Sequence, residues 1–317
     1  VEPLQRALRR PDPHPLVSLA AARALVALDA RQSADLLFEH CQSDGIDVAA
    51  VVELALAKWD YRPIRSVWLE RLKDPRTHRR RLILAIDGLA TVDEVQAVPS
   101  LLELSQSVRV PGDVRLAAAR SLTILKKDGL DTIARKMAAD KSPQKIIHRL
   151  IAASIIVSHR DEASVDLMME LAVDAEPAVA AIALATLLEI DPEHVLRIVE
   201  VTIANADANV RWLGARALVA RPTPDRVKLT GPLLDDPHPG LRQYVRQSLE
   251  ALAQKPELTD YVIGAAVKML STSRWRGLEQ AALLLTALDH KPAADRLVEL
   301  LEFDRPEVFI MAAWGLG

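Results

Sequence analysis

Three short stretches of this chain carry residue types that could do chemistry. His40 stands beside Cys41 with Asp44 nearby, a nitrogen, sulfur and oxygen donor set of the kind that binds zinc. Adjacent side chains on a helix diverge by about 100°, so His40 and Cys41 cannot easily face one ion, and a packed pair is expected instead of a metal site. His159-Arg160-Asp161-Glu162 gathers a base, a cation and two acids, but it falls where a turn should precede a helix, so turn and capping roles are expected. Arg76, His78, Arg79, Arg80 and Arg81 form the densest basic run, close to Arg62, Arg65, Arg71 and Lys73, and could meet phosphates or an acidic protein. The chain as a whole is acidic and no aromatic residues interleave with the run, so nucleic acid is not the expected partner. There is no G-x-x-x-x-G-K-[ST], G-x-S-x-G, H-E-x-x-H or C-x-x-C string. No catalytic residue, metal ligand or cofactor is therefore assigned, and the chain is not expected to be an enzyme.

The elements that carry these residues can be read from composition. Half of the 317 residues are apolar but only 3% are aromatic, and there are 11 Gly. Such a chain packs helix on helix closely, without a bulky central core. The 19 Pro fall mostly in turn contexts such as Asp74-Pro75, Asp191-Pro192 and Asp236-Pro237-His238-Pro239, which implies many short connections. The single cysteine excludes an internal disulfide framework. No apolar run reaches the length of a membrane span. Val1 in place of Met, and a helical pattern still running at Gly317, lead us to expect a segment of a longer chain. Charge is uneven: residues 1–160 hold 25 Lys+Arg against 19 Asp+Glu, residues 161–317 hold 15 against 24. The two ends should attract different partners.

One pattern recurs through the whole chain. It reads VSLAAARAL from Val17, VAAVVELAL from Val48, VRLAAARSL from Val114, VAAIALATL from Val179, VRWLGARAL from Val210, LRQYVRQSL from Leu241 and VFIMAAWGL from Val308, with weaker copies opening at Arg81, Ile147 and Gly277. The closing residues Leu25, Leu56, Leu89, Leu122, Ile155, Leu187, Leu218, Leu249, Leu285 and Leu316 are 31 to 36 apart. A turn cluster precedes each copy, and a second amphipathic stretch precedes the turn, as in residues 95–107, 193–204 and 293–302. Each unit is then helix A, turn, helix B.

Asp-Pro turns followed by V-R-x-x-A-A-R-A-L resemble HEAT repeats, particularly the short bacterial HEAT-like variety found also in phycobilin lyases. Long HEAT units have a period of about 40 or more, so these are short ones. The resemblance implies an all-α fold: one α-solenoid over residues 1–317, about ten antiparallel helix pairs in a right-handed superhelix of the armadillo type. It also implies that helix B lines a concave groove.

With the opening Val as position zero, a helical wheel buries positions 0, 3, 4, 7 and 8 and turns positions 2 and 6 outward. Arg81 violates the wheel: either its unit is shifted so that Leu82 is buried, or Arg81 is paired. The outward strip carries Arg120, Arg149, Trp212 and Arg216 in its middle. Trp beside Arg is a common composition for a protein-binding hot spot, and the competing reading is that these arginines reach turn aspartates of neighbouring repeats. The expected function is a non-catalytic scaffold that binds a protein or peptide, other domains of its own chain included. Two alternatives stand beside it: an accessory segment of a larger bacterial enzyme or sensor, and tetrapyrrole binding of the phycobilin-lyase kind.

Overall fold

The computed structural model describes residues 1–10, 14–126 and 128–317. They are helical throughout, with no strand among them. Contacts divide the chain into two compact units, Val1–Ser164 and Val165–Gly317.

The first unit holds five helix pairs: α1 (Glu2–Leu8) with α2 (Pro15–Ala27), α3 (Ala34–Ser43) with α4 (Ile46–Lys58), α5 (Pro63–Lys73) with α6 (Arg79–Thr91), α7 (Val98–Gln106) with α8 (Gly112–Leu125), and α9 (Asp131–Ala138) with α10 (Lys145–Ile155). Five more follow. α11 (Glu162–Leu171), which crosses the division, pairs with α12 (Pro177–Ile190); α13 (Pro192–Leu196) and α14 (Val199–Ile203) together serve α15 (Ala208–Ala220); α16 (Pro224–Thr230) serves α17 (Pro239–Leu252); α18 (Pro256–Leu270) serves α19 (Trp275–Ala287); and α20 (Ala294–Leu300) serves α21 (Pro306–Leu316). Every repeat copy lies on the second helix of its pair. Within the first unit α2, α4, α6, α8 and α10 pack in succession, and within the second so do α12, α15, α17, α19 and α21. Each unit is thus a layer of B helices backed by a layer of A helices.

Proline marks the starts. It occupies the first or second position of α2, α5, α12, α17, α18 and α21, where a missing N–H costs nothing. It also breaks one A helix: Pro232 cannot donate to a carbonyl one turn back, so α16 ends at Thr230 and a 3₁₀ turn, Gly231–Asp235, completes the element. The stops are marked by aspartate. Asp29, Asp60, Asp93 and Asp289 hold φ of 46 to 53°, the left-handed region that Asp tolerates better than most residues. In each case the next residue's N–H reaches back to the closing leucine's carbonyl, as Ala30 to Leu25 at 3.0 Å and Tyr61 to Leu56 at 2.9 Å. These are Schellman-like ends that satisfy carbonyls otherwise orphaned.

The buried arc of helix B is wider than the wheel indicates. Positions 1 and 5 are buried in most copies, as at Ala49, Ala119, Ala180, Leu184 and Ala215, because a B helix inside a unit, such as α4, α6, α8, α17 or α19, touches its own A-helix element and a B helix on either side. At the first copy Val17 and Ala20, assigned to the core by pattern, are exposed. Arg81 is paired, not shifted: it lies 3.8 Å from Glu53 and donates to the carbonyls of Cys41 and Asp44 at 2.9 and 3.0 Å.

Small residues on helix B admit the A layer. A Cβ on Gly88 would stand 2.7 Å from the buried ring of Trp68, and one on Gly214 would stand 2.8 Å from Ile203 Cγ2 and 2.9 Å from Thr202 Cγ2. Gly214→Leu should therefore force α14 from α15 and cost about 1–3 kcal/mol. Thermal unfolding checks this, and a melt matching the parent would reject the packing.

Candidate functional site

The sequence candidates fall in both units. In the first, Arg120 is exposed on α8, its Nε 3.4 Å from the carbonyl of Leu116 one turn back. Across on α6 lies Asp87, whose carboxyl desolvation pushes up while the Arg120 charge pulls it down. Arg149 is half-buried at outward position 2 of its copy, on α10, the B helix packed next to α8. In the second unit Trp212 and Arg216 share one face of α15, one turn apart. Trp212 is half-buried, its ring stacked on Tyr244 of α17 at 5.4 Å and edge-on to His238 at 6.0 Å. Arg216 is exposed and makes no ion pair among the described residues. Outward position 6 is exposed at Arg23, Leu54, Asp87, Arg120, Arg216, Gln247 and Trp314, but Ala153 is buried there.

Arginine does reach between repeats, Arg211 to Asp236 and Arg115 to Gln144 at 3.4 Å. Position 1 of helix B, to which the wheel assigns neither core nor surface, holds Arg115, Arg211 and Arg242, all buried. Arg115 donates to the carbonyl of Ser105 at 3.1 Å, and burial pushes its guanidinium pKa down. Arg211 grips Asp236, in the turn of the next repeat, by two bonds of 2.6 and 2.8 Å, and caps the carbonyls of Asn205 and Ala206. Arg242 donates to the carbonyls of Asp236 and Pro237. The signal was present in the V-R of the repeat, since a long cation just inside a helix start can fold back on the turn before it.

At the other end of the helices Asp29 accepts from Trp59 Nε1 at 2.6 Å, Arg65 bridges Asp60 and Glu94, and Arg226 meets Glu193 at 3.0 Å. In the first unit Glu53, on α4 and almost wholly buried, accepts from Trp68 Nε1 at 2.9 Å and from Arg71 at 2.8 Å, with Arg81 beside it. Side-chain bonds of this sort join a repeat to its neighbour, and one of them, from the Gly277 N–H to Asp235, spans 42 residues.

The chemical candidates resolve into structure. His40 bonds to Asp44 at 3.1 Å, while Cys41 is buried and donates to the carbonyl of Phe38. Burial, reinforced by the Glu53 charge, pushes the Cys41 thiol up to about 12. Asp161 accepts from the N–H and hydroxyl of Ser164, which holds its pKa down and caps α11. Four members of the basic run have acidic neighbours: Arg76 with Asp74, Arg79 with Asp113 at 2.6 Å, Arg80 with Asp47 and Arg81 with Glu53. Among the described residues no group of three or more His, Cys, Asp or Glu is placed to hold a metal ion, and no helix is long and apolar enough to cross a membrane.

No protein-family model and no curated protein matches the chain. Solved structures do. Kap95p, in a structure in which its binding induces the switch loops of RanGDP to adopt the GTP-bound conformation, is similar over 99% of this chain and 50% of its own, with a TM-score of 0.68 at 12% identity. Kap121p is similar over 99% of this chain and 40% of its own, with a TM-score of 0.60 at 15% identity. The karyopherin Kap121p bound to the extreme C-terminus of the protein phosphatase Cdc14p gives a TM-score of 0.61 at 13% identity, over 99% and 39%. This chain spans half or less of the length of these structures. Likeness at such identities is a likeness of fold.

Proposed function

From a chain that is an all-α HEAT-repeat solenoid, we propose a non-catalytic scaffold that binds a protein or peptide on the outward face of its B helices. The observation that carries this reading is Trp212 with Arg216 on α15. One offers a large apolar face already held in place by Tyr244, the other a guanidinium with no ion pair among the described residues. A preorganised aromatic beside an available arginine is the composition of a binding hot spot, because little conformational freedom remains to be lost on association. Arg120 and Arg149 offer a second cationic patch on α8 and α10. A carboxylate-bearing partner suits both.

Among the similar structures, Kap95p binds RanGDP and Kap121p is bound to the extreme C-terminus of Cdc14p, which supports a protein or peptide over a small substrate. The pairing of the Arg76–Arg81 run with Asp74, Asp113, Asp47 and Glu53 supports a protein over nucleic acid, since phosphates would compete with carboxylates already in place.

The test is a pull-down from native lysate with the parent chain, Trp212→Ala and Arg216→Ala as baits, partners being identified by mass spectrometry and their affinities then measured. Each substitution should weaken the captured partner by about 2 kcal/mol, some thirtyfold, with helical content unchanged by circular dichroism. Arg216→Ala separates binding from folding, because that side chain is exposed and makes no ion pair among the described residues. Affinity unaltered in both variants would remove this face as the site.

A further inference from the structure

We infer that the second unit carries a binding pocket for a small planar aromatic anion, on its A-helix layer and apart from the B-helix face. A hollow of about 530 Å³ lies between α16 with its following 3₁₀ turn and α18, a volume within the ordinary range of about 300–1,000 Å³ for small-molecule sites. Its base is made by backbones in close approach: a Cβ on Gly231 would stand 3.0 Å from that of Ala265. Above the base the two elements part, and a Cβ on Gly264 would meet no atom within 4 Å. Glycine inside a helix is destabilising, and packing commonly justifies it, as at Gly88 and Gly214. Gly264 has no such justification among its neighbours. What its missing side chain preserves is the open space.

The walls are Pro232, Met269 and the exposed ring of Tyr261, surfaces on which a flat apolar body can lie. The rim is cationic. Lys228, Lys268 and Arg274 line the hollow against one carboxylate, Asp260, in a unit that is acidic overall. Asp225 holds Lys228 at 2.9 Å and Asp235 lies 3.8 Å from Arg274, so these two cations are steadied from outside the lining. Lys228 also sits over the Tyr261 ring, 5.5 Å from its centroid. Lys268 has no ion pair among the described residues and is the cation left to receive a charge. A flat apolar base and walls with cations at one rim select a carboxylate or sulfonate attached to an aromatic body.

The probes are an anilinonaphthalene sulfonate, ANS, and phenylnaphthylamine, which has the same rings and no charge. The parent chain should bind ANS one to one, more tightly than the neutral probe and less tightly as salt is added. Gly264→Leu, which fills the hollow, should abolish ANS fluorescence enhancement at unchanged helicity. The double variant Lys268→Gln/Arg274→Gln, confined to the exposed rim, should weaken ANS roughly tenfold and leave the neutral probe unaffected. Failure of the parent to bind ANS, equal binding of both probes, or ANS affinity retained in Gly264→Leu would each overturn the inference. If Gly264→Leu fails to fold, the rim variant decides alone: equal losses for the two probes, or none for ANS, would reject it.

Discussion

Glu53→Ala is expected to destabilise the first unit by about 3–5 kcal/mol, a cost characteristic of breaking a buried ion pair from one side. Glu53 has 1% of its surface exposed and is held by Trp68 Nε1 and Arg71, with Arg81 at 3.8 Å. Removing it leaves the largely buried Arg71 and the indole N–H of Trp68 without their acceptor, and leaves Arg81 with only the carbonyls of Cys41 and Asp44. Arg71 is on α5 and Arg81 on α6, whereas Glu53 is on α4, so the loss falls on the junction between the second and third repeats. Cys41 supplies the measurement. It is the chain's one cysteine, is buried beside this cluster, and its thiol is pushed up to about 12 by burial. It should resist a thiol reagent until the unit opens. Labelling followed through a urea titration should show the transition moved well below that of the parent. A coincident transition would mean that water or a shifted side chain satisfies the arginines. Replacing Glu53, Arg71 and Arg81 together by Leu or Met should cost less than Glu53→Ala alone, because no charge is then left unpaired.

Arg211→Ala should cost the second unit a similar amount, about 3–5 kcal/mol. The pair it breaks is more directional. Two parallel bonds of 2.6 and 2.8 Å hold Asp236, while the same guanidinium caps the carbonyls of Asn205 and Ala206. Asp236 in turn accepts from the backbone N–H of His238 at the start of α17. The loss therefore reaches the end of α14 and the N-terminus of α17 as well as α15. Arg211→Lys should recover only a minor part, since an ammonium cannot reproduce the planar fork. Calorimetry gives the magnitude, and hydrogen exchange should show the extra opening concentrated in α15 and α17. Exchange rising evenly over the whole unit would argue against a junction held by this pair.

What could be read in the sequence, and what could not, divides along physical lines. The repeat was legible because its closing residues, nine leucines and Ile155, enter a core that admits little else at every copy but the last, and ten of them at 31 to 36 residues fix ten helix pairs. The A helices were less legible: residues 193–204 read as one amphipathic stretch and are two short helices meeting at Ile198, whose φ is −123°. Periodicity reports which face is buried, not whether the ladder of hydrogen bonds is continuous. The wheel understated burial at positions 1 and 5 because it treats a helix as having one partner where these have three. Arg81 was correctly narrowed to two possibilities, and only its reach to Glu53 and two carbonyls chose between them. The position-1 arginines were missed because a charged residue in an apolar frame reads as surface when nothing shows the carbonyls waiting behind it. The hollow at Gly264 could not be read at all, since it is made by the absence of side chains at two glycines, Gly231 and Gly264, more than 30 residues apart.

The tethers between repeats all reach about one repeat along the chain, and this has a kinetic meaning. Closing a loop of some 30 to 40 residues costs little more than closing one of half that length, and contacts so local belong to chains that fold quickly. The tethers described in either unit do not wait for a distant part of the sequence. During synthesis, a repeat could lock as soon as its successor has cleared the ribosome: Asp29 needs Trp59, Glu53 needs Arg81, Arg211 needs Asp236. The protein can then be completed in the order in which it is made, each finished pair giving the next a surface to condense upon.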